Sequence, residues 1–428
     1  MCTARKFGVA AVVWLFFAVM LSSQADTKPD TLPPQQEVAR VAALPAVHAA
    51  FQWFQSHERE ISERQLEMVR IPSPPFGEAA RSRWLRERFR DAGLREVHSD
   101  PLGNVFGVRR GSDERAKYVA ITAHIDTVFP AGTQLEVRRD GEKLLGPGIS
   151  DNGAGVMALL AVAQAMHAAE VRNVAPIVFI GNVGEEGEGD LRGMRHVFSD
   201  PKWKDAIAAT LVIDGASSDT IVAQALGSRR FEVTVRGPGG HSWSDFGAPN
   251  PIVLLSRAIA QMSLIPLPAS PKTTLNIGVI SGGTSVNSIP ESASIRVDMR
   301  SSSTEQLERV EAAMRQAVTR ALASGNGVAG VSYEVRQIGE RPAGDLAETS
   351  RLLAIMRAVD VHLGNPSRVT RASTDANLPI SQGREALAVG GGGSGGGAHT
   401  VHEWFDPRGR DLGLKRILLA ALAVAGAK

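Results

Sequence analysis

The sequence predicts an α/β protein in which a domain with a mostly parallel sheet is interrupted by a smaller, ferredoxin-like α+β domain. Between residues 118 and 227, short apolar runs typical of buried strands alternate with helical patterns, as in parallel sheets covered by helices. Between residues 228 and 339 the order of the patterns becomes β-α-β-β-α-β, which is that of a split βαβ unit. The length of 428 residues also exceeds that of one small domain.

The N-terminus predicts an exported protein. Residues 1–25 combine basic "MCTARK", apolar "FGVAAVVWLFFAVML" and small "SSQA", which is the pattern of a cleaved signal peptide. A membrane anchor is the alternative, but the apolar run is short for a spanning helix. Polar, proline-rich residues 26–37 are predicted to be a linker. Cys2 is the only cysteine and would leave with the signal, so we expect a periplasmic or secreted chain without disulfides.

The first part of the larger domain is predicted to span residues 38–227. It begins with helices in "AALPAVHAAFQWFQSH" and "EAARSRWLRERFRDAGL", where apolar residues recur at three- and four-residue spacing. The strands "YVAITAHID", "APIVFIGNV" and "ATLVIDG" follow, with the helix "GAGVMALLAVAQAMHAA" after the first of them. The second part, residues 340–428, is predicted to hold the helix "DLAETSRLLAIMRAVDVHLG" and a closing helix in "RDLGLKRILLAALAVAGA".

The composition limits the classes of partner. Apolar residues make up 43% and charged residues 21% of the chain, which is ordinary for a globular protein. The 47 basic and 45 acidic side chains nearly balance, and no polybasic run is present. Nucleic acid and anionic membranes are therefore not expected as partners.

Residues able to bind metal follow the predicted strands. Each has an ordinary structural alternative: a strand-end histidine is often structural, an aspartate before a helix is often a cap, and a glycine run is often a linker. Taken together, they lie where open α/β sheets bind ligands, at the carboxyl ends of the strands. Imidazole with carboxylate suits zinc, and two histidines with three carboxylates suffice for two ions that share one bridging carboxylate. These residues are His124, Asp126, Asp151, Glu185, Glu186, Asp214, His399 and His402.

The ordered motifs "HID", "SDNGAG", "GEEGEGD", "VIDG", "GGHS" and "AHT" resemble those of a two-zinc metallopeptidase and amidohydrolase family. That family includes peptidase T, glutamate carboxypeptidase, aminoacylase and acetylornithine deacetylase. The resemblance covers nearly the whole mature chain. It implies two Zn²⁺ per subunit, with Co²⁺ or Mn²⁺ as alternatives, and a homodimer formed through the inserted dimerisation, or lid, domain.

The resemblance also implies roles for the metal-site residues. His124, Asp214 and the bridging Asp151 would hold one zinc, and Glu186 and His399 would complete the second. Glu185 would be the general base and Asp126 would orient His124. The peptide bond after Asp151 would be cis. His399 is preferred over His402 because it stands in the "HT" position.

Further roles follow on the substrate side. His241 would reach the other subunit's site and stabilise the oxyanion. Asn287 and Arg300 match positions that contact the substrate's carboxylate, although Arg300 paired with Asp298 is an equal alternative. Glu403 is a candidate for binding a substrate amine.

The sequence therefore predicts an exported, zinc-dependent exopeptidase that hydrolyses small peptides, similar to peptidase T or glutamate carboxypeptidase. The alternative is an N-acyl-amino-acid deacylase with the same two-zinc site. A non-catalytic binding protein on the same fold is a third hypothesis, which the loss of a ligand or of Glu185 would favour.

Overall fold

The computed structural model describes residues 1–3, 32–323 and 330–428. The predicted signal peptide and most of the predicted linker fall on residues 4–31, outside the described residues. The chain divides into Met1–Pro33 and Pro34–Lys428, and every described helix and strand lies in the second unit. Within the described ranges, no helix combines the length and apolar composition needed to cross a membrane.

Helices and strands alternate before residue 227. The helices are α1 (Pro34–Ala42), α2 (Pro45–Ser56), α3 (Glu58–Val69), α4 (Ala79–Asp91), α5 (Gly153–Ala168) and α6 (Arg192–Ser199). The strands are β1 (Arg95–Ser99), β2 (Val105–Arg109), β3 (Tyr118–His124), β4 (Arg138–Asp140), β5 (Lys143–Leu145), β6 (Ile177–Asn182), β7 (Ile207–Ile213) and β8 (Thr220–Ala225).

The inserted domain and the C-terminal part follow. The inserted domain holds β9 (Gly227–Arg236), β10 (Gly240–His241), α7 (Pro251–Met262), β11 (Thr273–Gly282), β12 (Ser288–Ile289), β13 (Ser292–Ser301), α8 (Thr304–Ala323) and β14 (Ser332–Arg341). The C-terminal part holds β15 (Gly344–Asp345), α9 (Arg351–Leu363), β16 (Arg368–Ala372), α10 (Asn377–Ser381), β17 (Glu385–Val389), β18 (Ser394–Gly396), β19 (Trp404–Asp406) and α11 (Arg410–Ala425).

The main sheet confirms the predicted α/β fold class. Its order is β1-β2-β6-β3-β7-β17-β8-β15, with β16 paired to β8. The central strands β6, β3, β7 and β17 run parallel, whereas the flanking strands are mainly antiparallel. Strands β3 and β6 are buried along almost their whole length because helices cover both faces of the sheet. Helix α5, buried on nearly all sides, packs on this centre together with α11.

The inserted domain has the predicted ferredoxin-like topology. Its sheet has the antiparallel order β11-β13-β9-β14, and α7 and α8 pack on one face. Alternate residues of β9, such as Phe231, Val233 and Val235, are buried in the core with these helices. The bounding strands begin at Gly227 and end at Arg341, against the expected range of 228–339.

Two regions differ from the sequence-based expectation. Helix α1 begins at Pro34, inside the expected linker, because proline is well suited to the first turn of a helix. The C-terminal part is less helical than expected: β16 and β17 join the main sheet, and β18 and β19 form a small sheet with β5 and β4. These strands are short, so their hydrophobic pattern is weak in the sequence.

Candidate metal centre

Strand ends and loops bring the predicted metal-site residues together at one edge of the main sheet. His124 is the last residue of β3, Glu185 and Glu186 follow β6, and Asp214 follows β7. Asp151 precedes α5, and His399 lies between β18 and β19. Because the central strands are parallel, their carboxyl ends meet at the same edge.

Asp151 lies between two histidines. Its Oδ1 is 3.3 Å from Nε2 of His124, which is 3.7 Å from Oδ1 of Asp214. Its Oδ2 is 3.1 Å from Nε2 of His399, which is 3.0 Å from Oε1 of Glu186. The two oxygens of one carboxylate thus serve two groups of possible ligands. His399 adopts a φ of 65°, in the left-handed region that few non-glycine residues occupy.

The donor set fits two divalent cations. In each of the two groups, the ligand atoms lie within 4.8 Å of one another. Nε2 of His124 and Oδ1 of Asp151 are buried and have no hydrogen-bond partner among the described residues. Buried polar atoms are rarely left unpaired, so an ion that accepts both as ligands accounts for them. His124, Asp151 and Asp214 would hold one ion, and Asp151, Glu186 and His399 the other.

Without metal, protonated histidines offset the negative charge of the carboxylates. Burial alone would lower the pKa of His124, but Asp126, Asp151 and Asp214 raise it well above its usual value. Hydrogen bonds to Asp151 and Glu186 raise the pKa of His399 to about 10. The concentration of acidic groups therefore attracts protons, as it would attract metal cations.

Asp126 is fully buried, and its carboxylate binds backbone groups. Its oxygens accept hydrogen bonds from the N–H groups of Glu185 at 3.1 Å and Glu186 at 2.8 Å. Nδ1 of His124 is 3.2 Å from the carbonyl oxygen of Asp126 and 3.7 Å from its carboxylate. Asp126 therefore lies beside His124 and fixes the loop that carries the two glutamates, and its role in orienting His124 stays a prediction.

The structure corrects the expectation for Glu403. This residue is fully buried, and its carboxylate accepts hydrogen bonds from the N–H groups of Gly148 at 2.8 Å and of Ser150 and Asp151 at 2.7 Å. Both oxygens are thus occupied by the backbone before α5 and do not face a substrate amine. Glu403 anchors the loop that presents Asp151.

The glycine run 390–397 is packed against this centre, which contradicts its reading as a flexible linker. A Cβ atom on Gly395 would lie 2.2 Å from Oγ of Ser150, and one on Gly390 would lie 2.2 Å from the carbonyl oxygen of Ala216. Only glycine allows the run to approach both loops so closely. The Asp151–Asn152 peptide bond is cis, which confirms the expectation from the resemblance.

The structure favours His399 over His402 as a metal-site residue. His402 is exposed and lines a separate cleft with Gln134 and Pro147. Among the described residues its ring forms no hydrogen bond or ion pair with a carboxylate of the centre. The assignment of His399 as a ligand stays a prediction that this geometry supports.

The other predicted substrate-side residues, His241, Asn287 and Arg300, lie in the inserted domain. His241 and Asn287 are exposed: His241 pairs with Ser288, and the carbonyl oxygen of Asn287 accepts the N–H of Ser242. Within the described protomer, neither forms a hydrogen bond to the metal-site residues. Arg300 forms the alternative ion pair with Asp298, at 2.8 Å.

Two acidic residues close to the glutamates, Glu188 and Asp190, contact the inserted domain. Nη1 of Arg296 lies 3.1 Å from Oε1 of Glu188, and the N–H of Glu340 donates to Asp190 at 2.7 Å. Arg230 donates to the carbonyl oxygen of Gly187 at 3.0 Å. The loop from Gly187 to Asp190 is therefore held by the inserted domain.

Sequence reasoning missed two buried residues at this centre. Arg341 donates to Oε1 of Glu185 at 2.7 Å, although the two lie far apart in the sequence. Asp375 accepts a hydrogen bond from Asn182 at 2.6 Å, and burial raises its pKa to about 7. No local signal marks Arg341. Asp375 follows β16, which runs antiparallel to the central strands, so recognition of that strand would not have placed Asp375 at this edge.

Comparisons with known proteins confirm the family resemblance. Residues 120–423 match the family described as peptidase family M20/M25/M40. The uncharacterised protein YqjE of Bacillus subtilis is 26% identical over 78% of this chain and 91% of its own length. A probable carboxypeptidase of Aspergillus clavatus is 31% identical over 46% of this chain and 47% of its own. The aminopeptidase PepT of Bacillus cereus has a similar fold, with a TM-score of 0.67 and 20% identity, over 86% of this chain and 99% of its own.

Proposed function

Because this chain belongs to peptidase family M20/M25/M40, we propose that it is a two-zinc exopeptidase that cleaves small peptides. The chain is a hydrolase that acts on peptide or amide bonds. What we propose beyond this activity is that the metal ions are zinc, that cleavage occurs at chain ends and that the substrates are small peptides. The names of similar proteins, a probable carboxypeptidase and an aminopeptidase, support an exopeptidase of either direction.

One observation carries the proposal: each carboxylate oxygen of Asp151 lies next to a different group of possible metal ligands. Glu185 lies beside them but belongs to neither group. His124 with Asp214 on one side, and His399 with Glu186 on the other, supply the nitrogen and oxygen donors that zinc prefers. When bound, the ions would polarise the substrate carbonyl and make a water molecule more acidic.

Glu185 is the proposed proton carrier. One of its carboxylate oxygens lies within 4.8 Å of ligand atoms of His124 and Glu186, yet it belongs to neither group that contains Asp151. Burial raises its pKa well above the usual value, although Arg341 opposes this. A carboxylate with a raised pKa can take a proton from the attacking water and return it to the leaving amine.

We also propose export and dimerisation. The N-terminal pattern of residues 1–25 supports export. His241 lies in the inserted domain, and among the described residues of one protomer its hydrogen bonds stay within that domain, which supports a homodimer in which it enters the partner's site. Sedimentation of the purified protein would test the dimer, and N-terminal sequencing of protein from the producing cells would test cleavage near Ala25.

A product-release assay tests the function. Zinc-loaded protein is offered dipeptides, tripeptides and N-acyl amino acids, and the products are identified by mass. We expect release of one terminal residue from the peptides. Preferential cleavage of N-acyl amino acids would favour the deacylase alternative. Full activity after chelator dialysis, with metal confirmed absent, would contradict the two-zinc site.

A further inference from the structure

Arg341 connects the inserted domain to the proposed general base. It is the last residue of β14, only 6% exposed, and its Nη1 donates to Oε1 of Glu185 at 2.7 Å. Its Nη2 donates to the carbonyl oxygen of the same glutamate, and Nη1 also lies 3.2 Å from Oγ of Ser373. The guanidinium thus binds the side chain and the backbone of one residue.

This contact sets Arg341 apart from other buried arginines. Arg81 donates to backbone carbonyl groups, Arg410 to Gln65, and Arg416 to Asp360. Among the described arginines, Arg341 alone donates a side-chain hydrogen bond to a carboxylate of the metal centre. Oε2 of Glu185 accepts no hydrogen bond from the described residues, so the contact fixes one oxygen and leaves the other free.

The planar guanidinium gives this contact a defined direction. Two donors on neighbouring nitrogens restrict the position of Glu185 more than a single ammonium group would. Proton transfer requires the carboxylate within hydrogen-bond reach of the reacting water, so a small displacement lowers the rate strongly. The attachment of Glu340 to Asp190 holds the strand end in place beside the same loop.

We infer that Arg341 is a positioning residue, which holds Oε1 of Glu185 so that Oε2 faces the reacting water. Through this residue the inserted domain contributes to the geometry of the proposed base in its own subunit. The inference rests on the proposed function, because it assigns Arg341 to the proton-transfer step of that reaction.

The kinetic test compares Arg341→Met with Arg230→Met. Arg230 also extends from the inserted domain to this loop, but it bonds to the carbonyl of Gly187 instead of Glu185. We expect Arg341→Met to lower kcat by about 100-fold with KM and metal content nearly unchanged, and Arg230→Met to lower it less than about threefold. The kcat of Arg341→Lys should lie between those of Arg341→Met and the wild type, because lysine keeps the positive charge but lacks the two neighbouring donors of the guanidinium.

A double-mutant cycle tests whether the effect acts through Glu185. In a Glu185→Gln background, Arg341→Met should lower kcat by less than a further threefold or so. A second cycle uses metal-free protein and needs no turnover. Arg341→Met should lower Tm by about 5 °C or more, since it leaves a buried charge unpaired, and adding Glu185→Gln should recover about half of that loss.

The outcomes separate this inference from the proposed function. No turnover by the wild-type chain on any peptide or acyl substrate would overturn both. If the wild type is active and Arg341→Met is equally active, only the role of Arg341 is overturned. The same holds if the kcat losses of Arg341→Met and Glu185→Gln multiply in the double variant. Loss of bound metal or of folding in Arg341→Met and Arg341→Lys alike, without recovery by Glu185→Gln, would also overturn it in favour of a purely structural role.

Discussion

Glu185 and Glu186 are neighbours in the sequence but have different partners. Glu186 contacts His399 at 3.0 Å, whereas Glu185 accepts a hydrogen bond from Arg341 at 2.7 Å. Consecutive side chains after a strand project in different directions, so one glutamate can bind metal while the next faces the reacting water. The repulsion between two adjacent buried carboxylates is thereby offset by separate cations.

Glu185→Gln should separate metal binding from proton transfer. Glutamine keeps the size of the side chain but cannot carry the proton, so we expect kcat to fall by about 10²–10⁴-fold. Metal content, measured by atomic absorption, should stay at the wild-type value because Glu185 is not a proposed ligand. A variant with more than a tenth of wild-type kcat would refute the assignment of the base.

His399→Ala and His402→Ala form a matched pair only three residues apart. His399 lies against Asp151 and Glu186, whereas His402 is exposed in another cleft. We expect His399→Ala to weaken binding of one of the two metal ions and His402→Ala to leave both in place. Metal titration by calorimetry distinguishes them, and the reverse order of effects would exchange the two assignments.

At the scale of elements, the loop before α5 depends on a residue from the other end of the chain. Glu403, just before β19, accepts the N–H groups of Gly148, Ser150 and Asp151. These three groups would otherwise be buried without partners, and the packed glycine run beside them leaves little room for rearrangement. The position of Asp151 is therefore fixed by the C-terminal part of the fold.

Glu403→Ala should destabilise the protein by about 3 kcal/mol, because it removes the acceptor of several buried N–H groups. Glu142→Ala removes an exposed glutamate from the nearby β4–β5 turn and serves as the control, with an expected change within about 0.5 kcal/mol. Urea unfolding of both variants measures the difference. Equal stability of the two would show that the anchoring contacts contribute little.

At the scale of the whole molecule, the stability of the metal-free chain should fall between about pH 7 and pH 10. The folded state raises the pKa of His399 to about 10, so its protonated form is stabilised. That contribution is complete below the unfolded pKa of about 6.5 and is lost as pH rises through the folded value. Burial raises the pKa of Glu403 and Asp375 to about 7. Their ionisation also destabilises the folded state, but that loss is largely complete below the range in which His399 loses its proton.

Thermal unfolding of chelator-treated protein at several pH values checks this expectation. His399→Asn should have a lower Tm near pH 7 and a weaker decline above it. A metal-free wild type whose Tm stays constant or rises from pH 7 to 9.5 would contradict the protonated arrangement of the centre.

The sequence was most informative where local pattern and strand ends coincide. His124, Glu186 and Asp214 could be placed together because parallel strands align their carboxyl ends, whatever the details of packing. The ferredoxin-like order of the inserted domain was predictable because each of its strands and helices is long enough to show its period.

Features that arise from tertiary contacts were not predictable. Arg341 meets Glu185 only because the chain returns from the inserted domain beside the loop after β6. The role of Glu403 depends on backbone N–H groups, which leave no trace in side-chain patterns. The glycine run reads as a linker by composition, and only the loops packed against it explain why a side chain is excluded.

The topology of the insertion suggests a module that could be removed. The inserted domain begins at Gly227 and ends at Arg341. Ser228 pairs directly with Arg341, so the two ends of this domain are adjacent. The contacts of Arg341 with Glu185, of Glu340 with Asp190 and of Arg296 with Glu188 contradict that appearance. Excision with a short graft from β8 to β15 would shorten the chain without a break in the main sheet, yet it would remove one wall of the centre. A minimal single-domain version of this protein therefore requires a replacement for those contacts, not only a connecting peptide.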